Sequence, residues 1–316
     1  MNPSVQLALM VVPQQKSDRY AAIKKFCCLE MPVPSQVVCL KTINNDKRLN
    51  AVAQKIALQI NCKLGGELWA CKTPFKHLMV VGIGNFTLIR KTSNSYVCNT
   101  LTFYLADVFH DKSRKSGSIA GMVASINDSL SRYYSNVAIQ KQGQEIVDAL
   151  KIAFMQALIR YHEANHTWPE TIVVFRDGVS DSQMDLVAQY EGSQFVDTFS
   201  KVKTSGSPSP PSDDLRKKFC ALIPQGYAPN FTYIVVQKRI STRIMAMSGA
   251  SSVENPPPGT IIDHTITRYH FKDFFLVPQA VTQGTVTPVH MVVVHETGSQ
   301  LLSADDIQKL AYKLTQ

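Results

Sequence analysis

Thr171-Ile172-Val173-Val174-Phe175-Arg176-Asp177-Gly178-Val179-Ser180-Asp181 is the stretch on which the reading of this chain turns. Residues 171–175 are apolar or β-branched without interruption and too few for a helix, so they predict a strand buried on both faces. The run stops at Arg176-Asp177-Gly178, where glycine suits a turn and a carboxylate is left at the strand's end. Upstream, residues 145–165 keep helical spacing at Ile146, Ala149, Leu150, Ala153, Ala157 and Leu158. Downstream, residues 181–202 are helical in pattern, and residues 233–236 form another strand running into Lys238 and Arg239. Helix, strand, helix, strand implies parallel pairing and an α/β fold.

Further out, residues 78–83, 101–109, 119–126 and 133–139 read as strands in succession. Strands near 261–265, 274–277 and 289–294 precede a final helix. Ser303 opens that helix with Asp306 three residues on, a capping box in which Asp replaces the usual Glu. Several strands, then helix, strand, helix, is the order of an RNase H-like domain, although the pattern alone also suits other α/β folds. The N-terminal part alternates differently. Residues 7–12 predict a strand, 18–29 a helix capped by Ser17 or Asp18, and 36–40 a second strand leaving the Pro32-Val33-Pro34 turn. Residues 50–61 predict an amphipathic helix with Val52, Ile56 and Ile60 on one stripe and Asn50 as its cap. This is a small parallel β-α-β-α unit. Residues 203–214, rich in Ser, Pro and Gly, should be an exposed loop.

A length of 316 residues suggests two domains at roughly 150 residues each. The chain is 45% hydrophobic and 18% charged, enough for a core. Lys and Arg number 33 against 24 Asp and Glu, and the resulting +9 favours phosphate-rich partners. The seven cysteines include no CxxC pair and no zinc spacing, so reduced, buried thiols are expected. Residues 7–12 are too short a run for a membrane span. Neither GxGxxG nor GxxxxGK occurs, which argues against a nucleotide-cofactor enzyme. His290 and His295 have opposite strand parity, and neither they nor His110 is assigned to a metal.

Three constellations could carry chemistry. Tyr20 and Lys24 share a helix face, Gln36 stands at a strand mouth, and Lys55 lies on the next helix. Such a set could surround a phosphate, though taken alone a solvated face fits as well. Asp107 and Asp177 end apolar strands, and Glu145 opens a helix. Two-metal phosphodiester cleavage needs carboxylates converging from rigid element ends on cations about 4 Å apart. Individually each acid also has a plain role, Glu145 as a helix N-terminal charge and Asp177 as part of a turn. Lys238, Arg239 and Arg243, in Gln237-Lys238-Arg239-Ile240-Ser241-Thr242-Arg243, suit phosphate contacts that carry no sequence information.

Residues 18–25, 34–38 and 55–61, and above all Lys63-Leu64-Gly65-Gly66-Glu67-Leu68-Trp69, resemble the MID domain of PIWI-clade Argonautes. Residues 117–127, Gln144-Glu145-Ile146-Val147-Asp148-Ala149-Leu150 and Arg176-Asp177-Gly178-Val179-Ser180-Asp181 resemble the PIWI domain. The resemblance implies a Rossmann-like MID domain at 1–77 and an RNase H-like PIWI domain at 78–316. It implies a small, piRNA-type guide RNA whose 5′ phosphate is held by Tyr20, Lys24, Gln36 and Lys55, with a metal ion and the family's C-terminal carboxylate completing the pocket. Asp107 and Asp177 correspond to the family's first and last catalytic Asp, holding Mg²⁺ or Mn²⁺. Glu145 corresponds to its glutamate finger, and Lys238, Arg239 and Arg243 lie where the family follows the guide backbone. The implied function is RNA-guided silencing in the cytoplasm, away from membranes, with cleavage of complementary target RNA. The alternative is a guide-binding or scaffold protein that does not cut.

The chain departs from the family in three places. Residues 84–106 intervene before Asp107, residues 203–223 form a second excess, and the family continues past the helix at 307–314 to a fourth catalytic residue, usually His. The first departure makes residues 78–83 and 101–106 rivals for the place beside residues 171–175. The former are expected there, leaving 84–106 as an excursion and drawing Asp107 away from the other acids.

Overall fold

The computed structural model describes residues 5–14, 16–44, 46–68, 70–87, 118–140, 150–200, 213–248 and 252–315. The expected strand at 101–109 with Asp107, the helix start at Glu145 and the loop at 203–212 lie outside these residues. The chain divides into two compact units, Met1–Ala70 and Cys71–Gln316.

In the first unit β1 (Ala8–Val12) pairs in parallel with β2 (Ser35–Cys39), Ala8 opposite Ser35 and Val12 opposite Cys39. Between them α1 (Ser17–Lys25) widens into one π-helical turn, Phe26–Glu30. A short α2 (Leu40–Ile43) leads to α3 (Leu49–Lys63). Asn50 is not the cap that the sequence suggested. A 3₁₀ turn, Asp46–Arg48, runs directly into α3, so the helix begins at Leu49 and no side chain caps it. The other end of α3 is closed by glycine. Gly66 N–H donates to the Asn61 carbonyl and Gly65 N–H to that of Cys62, the paired bonds of a Schellman motif. Gly65 takes φ +85°, and a Cβ on Gly66 would collide with the Asn61 side-chain amide. The Gly-Gly pair therefore fixes Lys63 in the last helical turn.

The second unit is built on an eight-stranded sheet, in the order β10 (Ile261–Ile262), β11 (Lys272–Leu276), β12 (Val289–Thr297), β7 (Asn230–Gln237), β6 (Thr171–Asp177), β3 (Leu78–Thr87), β4 (Ser118–Ser125), β5 (Tyr133–Gln140). β3, β6 and β7 are parallel, and the outer strands pair antiparallel. Every residue of β6 is buried. Ile172 and Val174 face one core with α4 (Leu150–Asn165), α5 (Met184–Ser200) and α6 (Asp213–Leu222). Val173 and Phe175 face the other, with α7 (Ala304–Leu314). Ser303 caps α7, its Oγ accepting from Asp306 N–H at 3.1 Å. A separate hairpin joins β8 (Ala246–Ser248) to β9 (Ser252–Glu254).

Five expectations meet the structure here. Leu78 lies opposite Thr171 and Ile83 opposite Arg176, so the 78–83 segment holds the place beside β6. Gly84–Thr87 do not leave the sheet as expected but continue β3 by pairing with β4, and the rest of the 84–106 segment lies outside the described residues. The loop expected over 203–214 gives way at Asp213 to α6, which packs into the core. α6 is amphipathic, and it buries Phe219 edge-on to Trp168 and leads to the buried Ile223. The thiols are not generally buried either: Cys27 is, whereas Cys28, Cys62 and Cys220 are exposed. Finally, a bulge between Val293 and His295 shifts the β12 register, setting His290 opposite Gln237 and His295 opposite Tyr233. Those partners are an even number of residues apart, so the two histidines share a face, against the parity counted from sequence. Among the described residues no helix is long and apolar enough to cross a membrane.

Candidate functional sites: a lysine cradle and an acidic strand end

In the first unit two ammonium groups meet at one carbonyl. Lys24 Nζ donates to Ser35 O at 3.1 Å and to Ser35 Oγ at 2.8 Å. Lys63 Nζ donates to the same carbonyl at 2.8 Å and also to Gln36 Oε1. Gln36 is buried, and its amide donates to Gln59 Oε1 at 2.9 Å. The ring of Tyr20 lies 5.7 Å from Lys24 Nζ. Among the described residues no carboxylate pairs with either lysine, so positive charge accumulates without a counter-ion. Burial pushes the Lys63 ammonium below its ordinary pKa, and the charge of Lys24 pushes it further the same way. An anion would relieve that repulsion.

The structure thus brings together Tyr20, Lys24 and Gln36. It does not bring Lys55 to them: Lys55 is exposed, two turns up α3, about 12 Å along the axis at 1.5 Å per residue. Lys63 and Gln59 stand in its place. Lys55, Gln59 and Lys63 form one i, i+4, i+8 stripe, so the face was legible, and Lys63 opens the Lys-Leu-Gly-Gly stretch. The sequence did not show which lysine on that face meets Gln36.

In the second unit Asp177 ends β6 at the carboxyl edge of the parallel strands, where α/β proteins place their sites. It borders a cleft of about 670 Å³ lined by residues 177–182 and 236–241. Asp177 is 5% exposed. Burial raises its carboxyl above the usual range, against the opposing pull of Lys238, the Gly178 N–H and Arg176. Lys238 Nζ lies 3.0 Å from Asp177 Oδ2. Asp181, at the cleft rim, accepts from Gln237 at 2.6 Å and Arg268 at 2.7 Å, which hold its carboxyl below the usual range.

Beneath Asp177 sits a network that no sequence motif announced. Arg176 is fully buried and donates from Nε and from its second terminal nitrogen to both oxygens of Glu191, at 2.8 and 3.1 Å, and to the carbonyl of Asp177. The Tyr233 hydroxyl donates to Glu191 Oε2 at 2.6 Å. Burial works against the Arg176 charge, but Glu191, with Tyr233 and Asp177, holds the guanidinium above its ordinary pKa. The network anchors the β6 end and so the backbone that carries Asp177.

Asp107 and Glu145 lie outside the described residues. Among the described residues no cluster of three or more His, Cys, Asp and Glu is placed to hold a metal. Asp177 is a buried carboxylate at a strand end, the type of oxygen donor a hard cation takes, and the Lys238 ammonium is paired with it. Of the basic segment, Lys238 turns inward to Asp177, while Arg239 and Arg243 are exposed.

A mixed sheet of this order, with an acid at the end of its central strand, is that of an RNase H-like PIWI fold, here accompanied by a small α/β unit. The Piwi domain family model matches residues 7–210 and 212–316, and the chain belongs to that family. It is 41% identical over 312 residues to the Piwi-like protein Ago3 of Bombyx mori, covering 98% of this chain and 28% of that protein. It is 40% identical over 311 residues to the protein argonaute-3 of Drosophila melanogaster, covering 98% and 30%. The crystal structure of Drosophila Piwi superposes with a TM-score of 0.72 at 29% identity, over 98% of this chain and 35% of that one. The chain spans less than a third of the length of these curated relatives.

Proposed function

We propose that this chain is the guide-holding and RNase H-like part of a PIWI-type silencing protein. The observation that carries the reading is the convergence of Lys24 and Lys63 on Ser35 and Gln36 with no described counter-ion. An RNA 5′ phosphate supplies the missing charge, with Tyr20 closing one side. Arg239 and Arg243 serve the guide backbone at the cleft rim. Asp177, with Asp107, holds a divalent cation, and Glu145 completes that site. A cation held there would supply Lewis-acid activation of a water for attack on the target phosphodiester. The chain's own part is to fix Asp177 through the Arg176–Glu191–Tyr233 network.

A binding assay with 5′-phosphorylated and 5′-hydroxyl RNA of one sequence tests the reading. A charge-assisted phosphate contact is worth about 1.5–3 kcal/mol, so the phosphorylated RNA should bind roughly ten- to a hundredfold tighter. Lys24→Ala with Lys63→Ala should abolish the preference, and Lys55→Ala should leave most of it. Equal binding of both RNAs by the unaltered chain would end the proposal. Loss with Lys55→Ala alone would move the phosphate up the helix.

A second reading, a guide-binding protein that does not cut, is favoured by the ammonium of Lys238 on Asp177. Divalent-dependent cleavage of a guide-matched RNA that is lost in Asp177→Asn would exclude it.

A further inference from the structure

Asp177 is buried with a cation beside it. The Asp177 side chain is 8% exposed and the Lys238 side chain 20% exposed, so neither charge is solvated as it would be at the surface. The pairing follows from the sheet. In the parallel register of β6 and β7, Asp177 lies opposite Val236, so Lys238, two residues further along, falls on the same face and reaches back diagonally. The backbone at Lys238 is held from beyond. Arg239 takes φ +55°, a left-handed conformation uncommon for a residue with a side chain, and Arg243 donates from one terminal nitrogen to the carbonyls of Ile240 at 2.7 Å and Thr242 at 2.8 Å. The turn that presents Lys238 is therefore built, and only its side chain is left to move. The open direction is into the cleft.

Resting on the reading of Asp177 as a metal ligand, we infer that Lys238 is the resident cation of Asp177 and competes with the divalent ion for its Oδ2 oxygen. A Mg²⁺ or Mn²⁺ ion bonds a carboxylate oxygen at about 2.0–2.2 Å, and an ammonium 3.0 Å from that same oxygen repels it at short range. For the metal to enter, the Lys238 side chain must swing off Asp177 into the cleft, where a nucleic-acid phosphate is the natural acceptor. The metal site is thereby held closed until phosphate draws the lysine away.

Mn²⁺ alone is the probe, titrated against the full chain, with free Mn²⁺ read by electron paramagnetic resonance. The unaltered chain should bind weakly. Lys238→Met and Lys238→Gln should each bind at least about tenfold tighter, Lys238→Arg should stay weak, and adding Asp177→Asn to Lys238→Met should remove the gain. Thermal unfolding supplies a second readout: Mn²⁺ should raise the melting temperature of Lys238→Met and Lys238→Gln more than that of the unaltered chain. Equal Mn²⁺ affinity in the unaltered chain, Lys238→Met and Lys238→Gln, with Asp177→Asn still weakening it, would overturn the competition and leave Asp177 a ligand. Binding indifferent to Asp177→Asn in every background would overturn both. If Lys238→Met does not fold, Lys238→Gln against Lys238→Arg makes the same comparison.

Discussion

Glu191→Ala would strip the buried Arg176 guanidinium of its closest carboxylate. Glu191 accepts from Arg176 at 2.8 and 3.1 Å and from the Tyr233 hydroxyl at 2.6 Å, and the two charged side chains are 1% and 0% exposed. After the substitution Arg176 keeps its bond to the Asp177 carbonyl and loses the bidentate pairing with Glu191. Breaking a buried pair from one side costs about 3–5 kcal/mol. Orphaning the Tyr233 hydroxyl adds about 1–3 kcal/mol, and because both losses share one acceptor they overlap, for about 4–6 kcal/mol together. Urea unfolding followed by Trp168 fluorescence reports on this unit, since Trp168 packs against Phe219 and Tyr227 in its core. With a slope of about 3 kcal/mol per molar, the midpoint should fall by about 1.3–2 M. The apolar triple variant Arg176→Met, Glu191→Leu, Tyr233→Phe should recover most of the loss, because replacing a whole buried ionic set with apolar residues is often neutral. A Glu191→Ala loss below about 1 kcal/mol, or a triple variant no better than the single one, would refute the view that the network is costly to break rather than strongly stabilising as a whole.

Two further outcomes can be checked. The 5′-phosphate preference needs Lys63 protonated, and its pKa lies below the ordinary 10.5. The preference should therefore fade as pH rises, before 10.5 is reached; Lys24→Ala removes one cause of the lowering and should move Lys63's own loss to higher pH, a preference flat up to 10.5 being the contrary result. Phe219→Ala should cost about 3–5 kcal/mol by the same urea assay, as for a buried aromatic, while a loss under about 1 kcal/mol would return α6 to the surface.

What was legible in the sequence follows from how local each cause is. β6 was legible because burial on both faces leaves an unbroken apolar run, and Ser303 because a cap is decided within four residues. Lys63 was not singled out, because the choice between it and Lys55 depends on where the Gly65-Gly66 cap ends α3 and on the position of Gln36 across the unit. The shared face of His290 and His295 was hidden because a bulge adds one unpaired residue without any obligatory signature, and parity counting then fails. Arg176 was visible as one letter of a motif. Its acceptor Glu191 lies 15 residues on, and Tyr233 a further 42 beyond that, pairings that only the closed fold creates. α6 was read with the Ser- and Pro-rich stretch preceding it, although Phe219 and Ile223 carry the apolar face.

The parallel place of β3 beside β6 has a consequence for how the chain is made. On the ribosome, Leu78–Thr87 emerges about ninety residues ahead of Thr171–Asp177, which at roughly 5–20 residues per second is an interval of roughly 5–20 seconds. Through that time the strand's antiparallel partner β4 can form, but its other edge, along Leu78, Met79, Val80 and Val81, lacks its native partner β6. An apolar strand with one open edge is a template for other nascent chains and a ligand for chaperones that bind extended apolar segments. Slowing translation between the codons of these two strands should therefore lower the soluble yield, whereas slowing it after Gln237, once β7 has closed the far side of β6, should not.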